Sequence, residues 1–305
     1  MNSGSNAFSL NKLEKALMFK KTTKKLLICF FRGKKHLVKS QFRKRMGYDL
    51  DLHNPRTFNE KLNWMKIYYR NSDAYNYSDK YNARLTMQRA GYGALLPEIY
   101  GVWDNPKKIE WDKLPERFIL KVTNASGYNL FVENKSTLDI QKATKLLCKA
   151  MWLDYRHQKC ELLYPPKGKI IAEKMYDEDN KLDYKFFCFN GKVKFVQILN
   201  ATASENSLNE PYQNQYDENF NRINMDYGYI QKTQDFDKPH CFELMKKVAE
   251  QMSSGFKFVR VDFWTSGAKV FLGEFTFFPG SGCDQFNPPE YDLEFGKLID
   301  LSDVN

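Results

Sequence analysis

Short runs rich in Phe, Val, Ile and Tyr recur along this chain, separated by polar turns. Such runs suit the pleated, half-buried backbone of strands. Leu182–Phe189 and Lys192–Ile198 are joined by Asn190-Gly191. Asn-Gly supplies the two left-handed residues of a type I′ turn, so this pair is expected to be a hairpin. Phe258–Phe263 and Val270–Phe275 form a second pair around Thr265-Ser266-Gly267-Ala268, which carries turn chemistry. Phe118–Lys121 and Leu130–Val132 flank the small-residue stretch Thr123–Asn129, and Lys169–Tyr176 reads as a further strand. Leu95–Val102 reads as a strand entering a loop, with Pro97 at its edge.

Helical spacing marks other stretches. Residues 10–32 form an expected basic amphipathic helix, with Leu10, Leu13 and Leu17 on one side. After Thr57 or Asn59 as cap, Leu62, Met65, Ile67 and Tyr69 supply apolar positions. Ser78–Arg84 opens another helix that ends near Gly91. Thr137–Trp152 carries Ile140, Ala143, Leu146, Leu147, Ala150 and Met151, with Ser136 or Thr137 as cap, and Phe242–Met252 carries Leu244, Val248 and Met252. Residues 201–235 are polar, with many Asn, Gln and Tyr, and read as a long excursion that can contact substrate.

The net charge of +10 over 305 residues is uneven. Residues 1–50 hold thirteen Lys/Arg against two acids, a net +11, so the rest of the chain sums to −1. A body near neutrality argues against nucleic acid as a partner. The basic front segment, residues 10–45, is expected to touch an anionic membrane surface; the alternative is a helix packed on the body with its Lys face in water. Six cysteines without a CxxC pair and four histidines without ligand spacing point away from zinc and from a disulfide framework. They fit a reducing cytosol, so a cytoplasmic location is expected. The longest apolar run near the start, Leu26–Phe31, is six residues, too short to span a membrane, and no signal-peptide pattern follows it.

The second hairpin holds unusual chemistry. Alternation puts Arg260 and Asp262 on one face of the first strand, and Glu274 and Thr276 on one face of the second. An Asp facing a Glu across a hairpin is repulsive unless a cation lies between them. Two hard carboxylates suit Mg²⁺, and Arg260 suits a phosphate oxygen. Both carboxylates share a face only if the turn has odd length or a bulge intervenes. The alternative is an ordinary amphipathic hairpin with a solvated polar face. Similarly, the stretch from Phe118 to Val132 can fold amides and the Lys121 ammonium over phosphates, or it can be a hairpin with a glycine turn. The Walker pattern GxxxxGK[ST] is absent.

Seven segments in order resemble the TupA-like ATP-grasp family: NPRTFNEKLNW, SDKYNARLTM with GYGALLPEIYGVW, RFILKVTNASGYN, KIIAEKMY, LDYKFFCFNGKVKF, KPHCFELMKKVAEQMSSGFKFVRVDFW and FLGEFTFFPGSG. The resemblance runs from Asn54 to the C-terminus. It implies an α+β, ATP-grasp-like fold: two α+β lobes with antiparallel sheets holding nucleotide between them, behind a basic N-terminal helical segment. The expected divisions are residues 1–50, 51–117, a nucleotide-covering lobe at 118–180, and a metal- and acceptor-binding lobe at 181–305.

The resemblance also implies roles. Lys80 and Lys121 would contact phosphates, and the Asn124–Asn129 loop, with Ser126 and Gly127, would cover them. Glu173, Lys174 and Met175 would form the adenine-binding linker. Asp183 would accept from the ribose, with Lys185 on its face. Arg260 and Lys121 would act in catalysis, and Asp262, Glu274 and Thr276 would hold Mg²⁺. Thr276 stands where the wider superfamily has Asn, and Asp284 or Asn287 can supplement it.

The implied activity is ATP-dependent ligation of a carboxylate to an amine through an acyl phosphate. The acceptor would be a uronic acid or similar acid on a surface-polysaccharide precursor, and the donor an amino acid or amine. Gly280, Ser281 and Gly282 would offer backbone amides to the acceptor carboxylate. The alternatives are a sugar kinase and a non-catalytic module of a membrane-associated glycan assembly.

Overall fold

The computed structural model describes residues 33–125, 129–152, 161, 163, 165, 167–176, 182–200, 212–228, 231 and 233–304. The helix expected over 10–32 and residues Ser126 and Gly127 lie outside them. Twelve strands occur among the described residues: β1 Ile99–Trp103, β2 Phe118–Val122, β3 Leu130–Val132, β4 Ile170–Lys174, β5 Leu182–Phe189, β6 Lys192–Asn200, β7 Tyr212–Asp217, β8 Arg222–Ile223, β9 Asp226–Tyr227, β10 Phe258–Ser266, β11 Lys269–Thr276 and β12 Phe286–Asn287. They form a small sheet ordered β1-β4-β2-β3, a large sheet ordered β11-β10-β5-β6-β7-β8, and the pair β12-β9. Every pairing within these sheets is antiparallel.

The large sheet is built on Phe. Phe186, Phe187, Phe195, Phe258, Phe263 and Phe275 are buried in one apolar cluster, each side chain contributing about 2–3 kcal/mol on leaving water. Alternation sends Phe186 toward the Phe242–Ser253 helix, where it meets Phe242 at 5.6 Å between centroids. Phe187 points the other way, onto Phe195 at 4.0 Å and Tyr227 at 5.5 Å. The β5–β6 turn at Asn190-Gly191 has φ of 49° and 74°, as Asn-Gly is expected to give.

The Phe58–Tyr68 helix begins with a capping box in which Thr57 and Glu60 satisfy each other's amides. Its Phe58, Leu62 and Met65 join the large-sheet core. A separate cluster around Phe118, Leu120, Leu147 and Ile170 closes the small sheet under the Ile140–Trp152 helix. A third joins Leu37, Val38 and Phe42 of a helix over 33–46 to Leu50, Leu52 and Cys283.

Three expectations change. The small sheet starts at Ile99, ahead of the division at 118, because β1 pairs with β4. The helix expected from Thr137 starts at Ile140: Asn134 draws residues 135–137 into a 3₁₀ turn, and Asp139 accepts the Lys142 amide at 2.9 Å. The polar excursion is partly sheet, since β7 pairs with β6 throughout. Gln213, Asn214 and Gln215 there are fully buried. Partners come from within the excursion itself: Gln213 donates to Tyr227 O at 2.7 Å, Asn214 donates to Gln234 O at 2.7 Å, and Gln215 Oε1 accepts from Gln231 at 2.7 Å. Among the described residues, no helix is long and apolar enough to cross a membrane.

Candidate active site

The β10–β11 hairpin carries the bulge that shared orientation requires. Ser266 through Phe263 pair with Lys269 through Leu272; the register then shifts, so that Asp262 faces Glu274 and Arg260 faces Thr276. Gly273 is the extra residue. Without the register shift, Asp262 would face residue 273 and the Glu274 carboxylate would emerge on the opposite face. A Cβ at Gly273 would lie 3.2 Å from the Asp262 carbonyl oxygen, a tight contact to which the neighbouring strand must yield by a few tenths of an ångström. Gly273→Val is therefore expected to cost about 1–3 kcal/mol and to weaken nucleotide binding. Thermal unfolding with and without MgATP measures both.

A cation already occupies the space between these groups. Arg260 donates to both Asp262 oxygens, from Nε at 2.7 Å and from Nη2 at 2.6 Å, and Nη2 also reaches Thr276 Oγ1 at 3.3 Å. Thr276 Oγ1 donates to Glu274 Oε1 at 2.9 Å. Glu274 Oε2 is 3.9 Å from Lys80 Nζ. Lys185, the Cα partner of Asp262 on β5, completes a row of alternating charge. Burial alone would raise the Glu274 carboxyl, but Lys80 and Arg260 outweigh it and hold it below the usual range. At Asp262 burial wins over Arg260 and the carboxyl is pushed up. Burial pushes the Lys80 and Lys185 ammoniums down.

Lys80 and Lys121 come from two different elements, the start of a helix and β2. Asp79 caps the Lys80–Arg89 helix by accepting the Tyr81 and Asn82 amides. Lys80 binds the segment after β2 twice, through its amide to Thr123 O at 3.0 Å and through Nζ to Ala125 O at 2.7 Å. Lys121 on β2 meets Glu173 on β4 at 2.5 Å. Glu173, 6% exposed, is also 3.4 Å from Arg84. Its carboxylate is thus held by two cations. Sequence reasoning did not single out Arg84. The available signal was its spacing from Lys80, four residues along one helix face.

The remaining expected residues are distributed as follows. Lys174 points outward and pairs with Glu98 at 3.6 Å, while Met175 Sδ accepts from Arg117 at 3.8 Å. Asp183 is opposite Trp264, on the face that carries Asp262. Beside them Trp264, Phe271 and Tyr176 form an aromatic shelf, with centroids 4.5 Å apart for Trp264–Phe271 and for Tyr176–Phe271. In the turn after β11, the Ser281 and Gly282 amides close on Phe278 O and Pro279 O, so these two do not face an acceptor as expected. Asp284 pairs with Arg45, and Asn287 donates to Asp226.

The donor set fits a hard divalent ion. Among the described residues no group of three or more His, Cys, Asp and Glu gathers to bind metal. Asp262, Glu274 and Thr276 instead give two carboxylates and a hydroxyl on one sheet face, and the guanidinium between them shows that the space accommodates positive charge. Oxygen donors of this kind suit Mg²⁺, which keeps part of its coordination for water and phosphate.

Solved structures similar to this chain include D-alanine–D-alanine ligase from Bacillus anthracis complexed with ATP. It is 14% identical with a TM-score of 0.43, the match covering 73% of this chain and 64% of that one. The D-alanine–D-alanine ligase of Helicobacter pylori is 14% identical with a TM-score of 0.41, covering 79% of this chain and 68% of that one. An L-amino acid ligase from Bacillus licheniformis is 13% identical with a TM-score of 0.45, covering 83% and 55%. This chain thus spans under two thirds of the length of the first and third of these. No curated protein sequence matches it. The family model described as TupA-like ATP-grasp matches residues 60–300, which takes in both sheets, the bulged carboxylate hairpin and both lysines: the chain belongs to the TupA-like ATP-grasp family.

Proposed function

We propose that this protein is an ATP-dependent carboxylate–amine ligase whose acceptor is a uronic acid or similar sugar acid and whose donor is an amino acid or amine. The observation that carries the reading is the bulge-aligned Asp262–Glu274 pair, with Lys80 Nζ 3.9 Å from the Glu274 carboxylate. Asp262, Glu274 and Thr276 would hold Mg²⁺, which when bound neutralises phosphate charge and orients the phosphoryl group for attack.

The chain's own groups do the rest. Lys80 and Lys121 bring two ammoniums to the phosphates. Lys185 adds a third, less strongly hydrated than at the surface. Arg260 leaves the Asp262 carboxylate and turns to the transferring group, where charge spreads over oxygens. Ser126 and Gly127 belong to the loop that would cover the phosphates. The backbone of Lys174 and Met175 would meet the adenine edge, the Trp264–Phe271–Tyr176 shelf its face, and Asp183 the ribose. No side-chain nucleophile is required, because the acceptor carboxylate attacks the phosphoryl group directly.

The test is incubation with ATP, Mg²⁺ and a panel of uronic acids and amino acids. ADP and amide formed in equal amounts support the reading. A phosphorylated sugar without amine consumption, or failure to bind nucleotide, rejects it.

The reading places the protein in the cytoplasm, in peripheral contact with anionic membrane through residues 10–45. Within the described part, Leu37, Val38 and Phe42 anchor the helix over 33–46, and Lys34, Lys35, Lys39, Arg43 and Lys44 are exposed. Each cation near an anionic surface contributes about 1 kcal/mol. Replacing these five by Gln is expected to reduce sedimentation with phosphatidylglycerol vesicles by more than about tenfold and to leave the weak binding to phosphatidylcholine unchanged.

A further inference from the structure

Glu173 on β4 divides its two oxygens between cations of unequal freedom. Oε2 accepts from Lys121 Nζ at 2.5 Å, and Oε1 accepts from Arg84 Nη1 at 3.4 Å. The strand ladder sets the first contact. Ile119 of β2 is the Cα partner of Glu173, so Lys121, two residues on, is its diagonal neighbour on the same face. The helix sets the second, since Arg84 lies one turn beyond Lys80 in the Lys80–Arg89 helix.

The two cations differ in what else holds them. Arg84 Nη2 donates to Pro97 O at 2.5 Å, just ahead of β1, and the Arg84 side chain is 9% exposed. Among the described residues, Lys121 Nζ hydrogen-bonds to Glu173 alone, and its side chain is 20% exposed. Arg84 is thus fixed at two points and enclosed, whereas Lys121 is tethered at one point and reaches the surface. Lys121 also lies near the other site lysine. Burial pushes the Lys80 ammonium down, and Lys121 adds to that while Glu274 and Glu173 oppose it. A polyanion between the two ammoniums would relieve their repulsion.

We infer that Arg84 is a positioning residue for Lys121: it keeps hold of Glu173 so that the Lys121 ammonium can leave that carboxylate for a phosphate. The destination of the ammonium rests on the ligase reading above. Without Arg84, Glu173 is a buried carboxylate with a single cation, and departure of that cation would leave it unpaired. Lys121 is then held where it is. With Arg84 in place, one charged partner remains and the departure costs less. Arg84 itself stays on Glu173 and Pro97.

The experiment applies two readouts to wild type, Arg84→Met, Glu173→Gln and the double variant Arg84→Met/Glu173→Gln. One is affinity for MgATP by calorimetry. The other is trace acetylation of Lys121 by acetic anhydride, followed by peptide mass. Lys174, exposed at the end of the same strand as Glu173 and paired with Glu98, is the control.

Arg84→Met is expected to weaken MgATP binding about tenfold and to slow Lys121 acetylation about fivefold, with Lys174 unchanged. In the Glu173→Gln background no carboxylate holds Lys121, so Arg84→Met is expected to shift either readout by less than about twofold. Arg84→Lys keeps a buried charge but lacks the fork that reaches Glu173 and Pro97 together. It is expected to shift both readouts in the same direction by less.

A purely structural role predicts the opposite labelling, because a loosened site would speed Lys121 acetylation. Faster or unchanged acetylation in Arg84→Met overturns the inference. So does MgATP affinity that Arg84→Met leaves unchanged, or lowers equally in both backgrounds. If acetylation responds as expected while wild type binds no MgATP, the hold of Arg84 on Lys121 stands and the ligase reading falls.

Discussion

Glu274→Gln is expected to reduce ATP-dependent turnover by about three orders of magnitude while leaving the fold intact. The substitution keeps the shape and the hydrogen bond from Thr276 but removes one of the two carboxylates on the site face. Stability changes little. Glu274 is 3.9 Å from Lys80 and 3.8 Å from Arg260, contacts that contribute no more than about 1 kcal/mol at a partly exposed carboxylate. The bulge depends on Gly273, not on residue 274, so Asp262 keeps its orientation. Turnover measured with MgATP, alongside a thermal unfolding curve, separates the two effects. Activity within a few-fold of wild type would remove Glu274 from the metal site.

Lys121→Ala is expected to weaken nucleotide binding by about a hundredfold, the loss of one or two charge-assisted hydrogen bonds to phosphate. Here stability also falls. Lys121 and Arg84 together hold the buried Glu173, and removing one partner leaves that carboxylate under-compensated by about 1–3 kcal/mol. Lys121→Arg supplies the control, because it restores charge to Glu173 while changing the geometry offered to phosphate. Titration of a fluorescent ATP analogue gives the affinities. Equal affinity in wild type and Lys121→Ala would place Lys121 in a structural role alone.

Much of this site was legible because its signals are local. Asn190-Gly191 specifies its turn from two residues, and Thr57 with Glu60 specifies a helix start from four. The demand for a bulge between β10 and β11 followed from charge and alternation, although the pattern did not say which residue would be the extra one. The seven ordered segments supplied the two lysines, which no periodicity could have joined. What was missed is set by distant contacts. Gln213 and Asn214 read as surface because nothing nearby says that the Tyr227 and Gln234 carbonyls will meet their amides. Glu173 looked free for a ligand because its two cations lie 52 and 89 residues away in the chain. The Ser281 and Gly282 amides looked available because composition does not reveal that they close on Phe278 and Pro279.

The central claim is that Asp262 and Glu274 on one side, and Lys80 and Lys121 on the other, hold a single MgATP. Calorimetric titration of MgATP into wild type, Asp262→Asn/Glu274→Gln and Lys80→Ala/Lys121→Ala tests it most directly. The account predicts one site in wild type and loss of detectable binding in both double variants, each still folded. Undiminished one-site binding in either double variant would contradict it.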